Sequence, residues 1–246
     1  MSEPAVVVST SAAALADESA QRAAAVLRDA LGARTEAHLV VTGGGILERV
    51  LGALADQPDV DWRRVHVWWG DERYVPSDSS ERNDAVALRL LFDRIDVDPA
   101  KLHRMPASDA GFGDDAAAAA AYAVELAAAA DGDGTVPAFD LVLLGVGSDA
   151  HCASLFPGHP GTQVTDATVI AVRDSPKPPP TRLSLTFPAL DAAREVWFVA
   201  CGQGKADAVA RALSSTDRVA VPASGPRGRD RTLWLIDQDA AAKLPA

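Results

Sequence analysis

The stretch HLVVTGGGILERVLGAL, residues 38–54, passes from an apolar run through three glycines straight into a helical pattern. A short continuous apolar run reads as a strand covered on both faces, and the glycines as the turn that hands it to a helix. Working outward, runs of the same kind recur: AVVVST (5–10), VHVWWG (65–70), FDLVLLGVG (139–147), EVWFVACG (195–202) and TLWLID (232–237). Helical stretches at 11–31, 45–55, 84–94, 114–130 and 204–213 separate them. The segment 114–130 is nearly all alanine, the best helix former, and reads as a helix. Alternating strands and helices predict an α/β fold with an open, mostly parallel, Rossmann-like sheet and helices on both faces.

Two stretches break the rhythm. VRDSPKPPPTR (172–182) has too many prolines for a helix or a central strand, and reads as a loop leading into a strand, RLSLTF (182–187). AVPASGPRGRD (220–230) reads as a loop before the last strand. Strand–helix units continue on both sides of each and no repeat is visible, so a single domain over residues 1–246 is expected.

The chain has 246 residues, 48% hydrophobic and 23% charged, which is a globular and not a disordered composition. Its net charge of −11 argues against nucleic acid or an anionic membrane as the main partner. A small anion is compatible with it, since two or three well-placed cations suffice. Only four lysines are present, Lys101, Lys177, Lys205 and Lys243, so a lysine in a telling place carries weight. Cys152 and Cys201 are too far apart for a C-x-x-C motif, which argues against a disulfide framework or a zinc site. The segment MSEPAVVVST has no basic region followed by a long apolar run, and no apolar stretch reaches the ~20 residues of a membrane span. A cytoplasmic protein is expected.

In open α/β sheets ligands bind beyond the carboxyl ends of the strands. Four strand ends carry glycine beside polar or charged groups: Thr42-Gly43-Gly44-Gly45, Gly70-Asp71-Glu72-Arg73, Gly145 to His151, and Cys201-Gly202-Gln203-Gly204-Lys205. In a parallel sheet all four meet at one edge. Gly43 to Gly45 form a turn at a helix N-terminus, where backbone N–H groups and the helix dipole favour an anion. Lys205 at the head of another helix opposes that dipole, a conflict that a bound phosphate removes. Arg73 follows two acids and has a salt bridge as its plain reading; Arg182 has an exposed loop arginine as its own.

GVGSDA (145–150) mimics a dinucleotide fingerprint, but that motif needs a long helix next, and Pro157, Gly158 and Pro160 forbid one. His151 is the acid–base candidate, two residues after Asp149, a carboxylate able to orient the ring. His38, His66 and His103 read as structural or surface residues, and His159 stands in a Pro/Gly loop. Asp149 and His151 alone are too few ligands to imply a metal. Neither Ser148 nor Ser154 sits in a nucleophile elbow.

The stretches VVTGGG (40–45), WWGDERYVPSDSSERND (68–84), FDLVLLGVGSDAHCASLFPG (139–158), TRLSLTFPAL (181–190) and FVACGQGKADAV (198–209) together resemble the 6-phosphogluconolactonase family, within a superfamily that includes glucosamine-6-phosphate deaminase/isomerase. The resemblance implies hydrolysis of 6-phospho-D-glucono-1,5-lactone to 6-phosphogluconate in the oxidative pentose phosphate pathway, with no metal or organic cofactor. The substrate partner is then a phosphorylated sugar lactone, and a monomer is expected. It also implies roles: Gly43, Gly44, Gly45, Arg73 and Lys205 on the phosphate, Arg182 on the anionic substrate, Asn83 at the sugar or its loop, and His151 as general base. Ala150 departs from the family's usual glycine, a departure that strains the turn if the position requires positive φ. The sister deaminase pairs its histidine with a glutamate five residues on and has Asp-Glu-Tyr where this chain has Asp71-Glu72-Arg73. Phe156 and Arg73 stand at those places here. A non-catalytic sugar-phosphate sensor would keep the cations without needing His151.

Overall fold

All seven strands of the main sheet run parallel, in the computed structural model that describes residues 3–245. They are β1 (Ala5–Ser9), β2 (Ala37–Val41), β3 (Val65–Trp69), β5 (Leu102–His103), β6 (Leu141–Gly145), β9 (Glu195–Ala200) and β10 (Arg231–Asp237). Their order across the sheet is β1-β10-β9-β6-β2-β3-β5. The four strands whose ends carry glycine and charge, β9, β6, β2 and β3, are therefore neighbours at its centre. Nearly every residue of β6 and β9 is buried, as expected of strands covered on both faces. The edge strand β1 departs from this pattern, because Val6 and Val8 stand 40% and 49% exposed.

The helices are α1 (Ala12–Ala33), α2 (Ile46–Leu54), α3 (Asn83–Leu90), α4 (Asp115–Ala128), α5 (Phe187–Leu190), α6 (Ala206–Ser214) and α7 (Gln238–Ala241). Helix α2 turns Ile46, Leu47, Val50, Leu51 and Leu54 into the core at helical spacing, so it stacks on α1 and the sheet. Among the described residues no helix is long and apolar enough to cross a membrane. The helix expected over 84–94 stops at Leu90 and continues as a 3₁₀ turn, Phe92–Arg94.

A second sheet was not expected from the sequence, although one of its strands was. Strands β4 (Asp71–Arg73), β8 (Arg182–Leu185) and β7 (Val169–Val172) pair antiparallel in the order β4-β8-β7. The strand expected over 182–187 is thus shorter and lies outside the parallel sheet, since Phe187 already begins α5. Arg73 and Arg182 are register partners in this small sheet, which sits over the carboxyl edge of the large one.

His38, His66 and His103 do have a structural role. They lie side by side on β2, β3 and β5, with ring centroids 4.8 Å apart for the first pair and 5.1 Å for the second. Trp68 stacks on His103 at 3.7 Å and donates from Nε1 to His38 Nδ1 at 3.2 Å. Burial, with His66 adding to it, pushes His38 down to about 4, and burial lowers His66 as well. Glu36, Lys101 and Glu125 border the ladder with paired charges. An unfolded His38 takes up its proton near pH 6.5 and the folded one only near 4, so stability falls as pH drops through that window. The loss from His38 is about 3 kcal/mol at full extent. Urea denaturation between pH 7 and 4.5 is expected to show this slope and His38→Gln to flatten it; an unchanged slope in the variant would refute the assignment.

Candidate active site

The edge where β9, β6, β2 and β3 end opens into a cavity of about 380 Å³. Gly43, Gly44, Gly45, Arg73, Asn83, His151, Arg182 and Lys205 all line it. Asp149 stands behind the wall, bonded to His151. The structure thus brings together every residue expected from the sequence.

The turn after β2 enters α2 with Gly44 and Gly45 at φ +101° and +53°, and Gly45 as the N-cap. Gly43 is required for a different reason: a Cβ there would overlap the Asn83 side chain. Asn83 is in turn held by Nδ2 donating to the Asp71 carbonyl at 3.0 Å, while its Oδ1 accepts from Arg73 Nη1. Arg73 Nη1 also donates to the Glu81 carbonyl at 3.0 Å, and among the described residues no carboxylate pairs with this guanidinium. The salt-bridge reading of Arg73 therefore fails, and its charge stays available to the cavity.

Below Arg73 lies a buried ionic network that the sequence reading missed. Glu72 accepts from the backbone N–H of Arg73 and Asn83 at 2.7 Å each and of Asp84 at 2.8 Å, which caps α3. Arg82 grips Asp84 through Nε at 2.9 Å and Nη2 at 2.7 Å, and Arg104 joins at 2.8 Å. Burial and the Asp84 charge push Glu72 up to about 7, against the opposing pull of Arg82 and the backbone amides. The visible signal was the density of opposite charges in DER (71–73) and ERND (81–84).

Lys205 occupies the N-cap position of α6 after a 3₁₀ turn, Gln203–Lys205, and its side chain makes no capping bond. The other three lysines pair with carboxylates: Lys101 with Glu36, Lys177 with Asp149 and Lys243 with Asp207. Among the described residues Lys205 has no such partner. Burial, and then the nearby charge of Lys177, lower its pKa. A desolvated, unpaired ammonium lining a cavity is a costly arrangement that a bound anion relieves.

At the end of β6 the chain turns back on itself: Ala150 N–H donates to the Gly147 carbonyl and Gly147 N–H to the His151 carbonyl, each at 2.9 Å. Gly147 was read in the sequence only as a glycine of the GVGSDA mimic, yet a Cβ there would strike the His151 ring. The ring's Nδ1 sits 2.5 Å from Asp149 Oδ1. Burial alone would raise Asp149, but the hydrogen bond and charge of His151 hold its carboxyl well below the usual carboxylate range. It remains ionised, and a carboxylate on Nδ1 favours the tautomer of the neutral ring in which Nε2 carries the lone pair. Phe156 packs against the imidazole at 4.6 Å between centroids. Ser154 is buried and donates to Asp71 Oδ2 at 2.7 Å, which leaves it no nucleophilic role. Gly145 leads into a loop, and the next helical turn is 3₁₀, Pro160–Gln163, so the dinucleotide reading fails as expected.

Ala150 does adopt positive φ, +69°. The left-handed conformation costs a residue with a Cβ about 1–2 kcal/mol. Glycine would lose about 0.5–1 kcal/mol more backbone entropy on folding, and the buried methyl contributes about 0.8 kcal/mol. These terms nearly cancel, so the turn keeps its geometry without glycine.

Arg182 is buried, not an exposed loop residue. Its Nε and Nη2 donate to the carbonyls of Pro179 at 3.3 Å, Lys177 at 3.2 Å and Pro178 at 2.9 Å. Much of its hydrogen-bonding capacity thus holds the proline-rich loop.

The family model of glucosamine-6-phosphate isomerases/6-phosphogluconolactonase matches residues 10–234. A 6-phosphogluconolactonase of Streptomyces coelicolor is 50% identical over 248 residues, covering 98% of this chain and 95% of that protein. One of Mycobacterium tuberculosis is 51% identical over 221 residues, covering 88% of this chain and 89% of that protein. The crystal structure of a 6-phosphogluconolactonase from Thermotoga maritima superposes with a TM-score of 0.84 at 27% identity, covering 96% of this chain and all of that one.

The buried network makes the cation side of the cavity sensitive to residues that never face it. Asp84→Ala leaves the Arg82 guanidinium buried with its bidentate partner gone, and is expected to cost about 3–5 kcal/mol. Chemical denaturation tests this, and a loss below about 1 kcal/mol would show that the network holds nothing in place.

Proposed function

The chain belongs to the family of glucosamine-6-phosphate isomerases and 6-phosphogluconolactonases, and we propose that it hydrolyses 6-phospho-D-glucono-1,5-lactone to 6-phosphogluconate. The observation that carries this reading is a cavity that joins a desolvated Lys205 and an Arg73, neither paired with a carboxylate among the described residues, to an imidazole oriented by Asp149. The cations and the Gly43–Gly45 turn take the phosphate, and His151 meets the reacting end of the sugar.

His151 Nε2 takes a proton from water as its oxygen bonds to C1 of the lactone. The carbonyl electrons move to oxygen and form a tetrahedral oxyanion. When this collapses, the C1–ring oxygen bond breaks and the proton on Nε2 passes to the departing oxygen. The carboxylic acid formed then ionises. Anchoring the remote phosphate converts the attack into a step between held partners. Phe156 against the imidazole separates this site from a deaminase, whose ring-opening chemistry uses a carboxylate at that place. A phenyl ring accepts no proton. A sensor needs the cations alone and has no use for an imidazole with an ionised partner.

The test is a coupled assay on freshly generated lactone, run beside glucosamine 6-phosphate. Turnover of the first alone is expected, and turnover of the second would move the chain to the other branch. His151→Asn is expected to lower kcat by about 10²–10⁴-fold with little change in KM, and an unchanged kcat would remove His151 as the base. Lys205→Ala is expected to raise KM by about 10–100-fold, the worth of one charge-assisted contact. An unchanged KM would make Lys205 structural.

A further inference from the structure

The reaction proposed above creates an oxyanion at C1, and the groups around His151 leave few candidates to stabilise it. Three backbone N–H donors of the turn are spent within it: Gly147 on the His151 carbonyl at 2.9 Å, Ala150 on the Gly147 carbonyl at 2.9 Å, and His151 on Asp149 Oδ1 at 3.3 Å. Arg182 gives Nε and Nη2 to loop carbonyls. Arg73 is engaged beside Asn83, on the side of the glycine turn.

Lys177 remains. It lines the same cavity from the proline-rich loop, with Nζ 3.3 Å from His151 Nδ1 and 3.4 Å from Asp149 Oδ1. Both contacts are long for an ammonium, and its side chain is 40% exposed. An ammonium has three donors on a flexible stem, so it can turn to a new acceptor without leaving the wall.

The loop that carries Lys177 is built to hold it there. Ser175 Oγ donates to the Lys177 carbonyl at 2.9 Å and accepts from the Lys177 N–H at 3.3 Å. Ser175 N–H donates to the Pro180 carbonyl at 2.9 Å, which closes the loop on itself. Arg182, buried at the start of β8, fastens the carbonyls of Lys177, Pro178 and Pro179. Three consecutive prolines limit the remaining backbone freedom. A surface loop with no task beyond connecting two strands does not need a buried guanidinium to pin its backbone.

We infer that Lys177 is a catalytic residue, the cation that meets the developing oxyanion at C1, delivered by a loop that Arg182 holds rigid. The inference rests on the lactone-hydrolase reading. As water attacks, negative charge grows on the carbonyl oxygen beside the His151 ring, and Lys177 moves its hydrogen bond from Asp149 to that oxygen. Asp149 keeps its bond to Nδ1 while the imidazole carries the proton taken from water. When the ring oxygen leaves, the product carboxylate faces the same ammonium.

Steady-state kinetics of the full chain on fresh lactone test this, with Lys177→Met and Lys177→Gln compared with wild type. Loss of one preorganised donor is expected to lower kcat by about 10²–10³-fold, with KM within about threefold and thermal melting unchanged. Lys177→Arg keeps the charge and is expected to retain far more of kcat than Lys177→Met. A kcat within about threefold of wild type in Lys177→Gln, or a rise in KM alone, overturns the inference; the second outcome would make Lys177 a phosphate ligand. A wild-type protein inert on the lactone would instead refute the hydrolase reading itself, so the two failures are distinct.

Discussion

The carboxylate of Glu72, fully buried, accepts hydrogen bonds from the N–H groups of Arg73, Asn83 and Asp84. One side chain thereby ends β4, starts α3 and sets the spacing between them. The first N–H groups of a helix have no partner inside it, so without this acceptor the head of α3 would be buried unsatisfied. The placing of Asn83 and Arg73 follows. Asn83 is pressed so close to the turn after β2 that only glycine fits at position 43, and the same amide orients Arg73. The anion site is thus a consequence of how a carboxylate at a strand end meets a helix start.

The cavity separates two kinds of charge. On one side stand Arg73 and Lys205, which lack carboxylate partners among the described residues; on the other an ionised Asp149 holds an imidazole against a phenyl ring. In a molecule with net charge −11 the acids nearest these cations are engaged elsewhere, Glu72 by backbone N–H groups, Asp71 by Ser154 and Asp149 by His151. Both arrangements gain from desolvation, because charges act more strongly where water is excluded. The overall acidity repels polyanions, whereas a single phosphate responds to the local field.

Much of this was legible in the chain before folding. Apolar runs ending in glycine announced a parallel sheet, and the rule that ligands sit at carboxyl strand ends brought Gly43–Gly45, Arg73, His151 and Lys205 to one edge. Those runs worked as signals because a strand buried on both faces must be apolar throughout, and a turn that lets an anion approach must lack side chains. Of the antiparallel sheet only β8 was legible, as RLSLTF; its partners β4 and β7 are three and four residues long, and their local pattern is no different from that of an extended linker.

Sequence by itself determined the fold class, the edge where chemistry occurs and the residue types available there, since these depend on local period, turn chemistry and composition. Tertiary structure decided which charges are paired. Arg73 follows two acids yet escapes both, because Glu72 is occupied with backbone N–H groups and Asp71 with Ser154. Arg182, expected on the substrate, spends most of its donors on a loop, and that loop sets Lys177 beside His151. Hydrogen-bond partners far apart in the chain carry no sequence period, so only packing fixes which donor meets which acceptor.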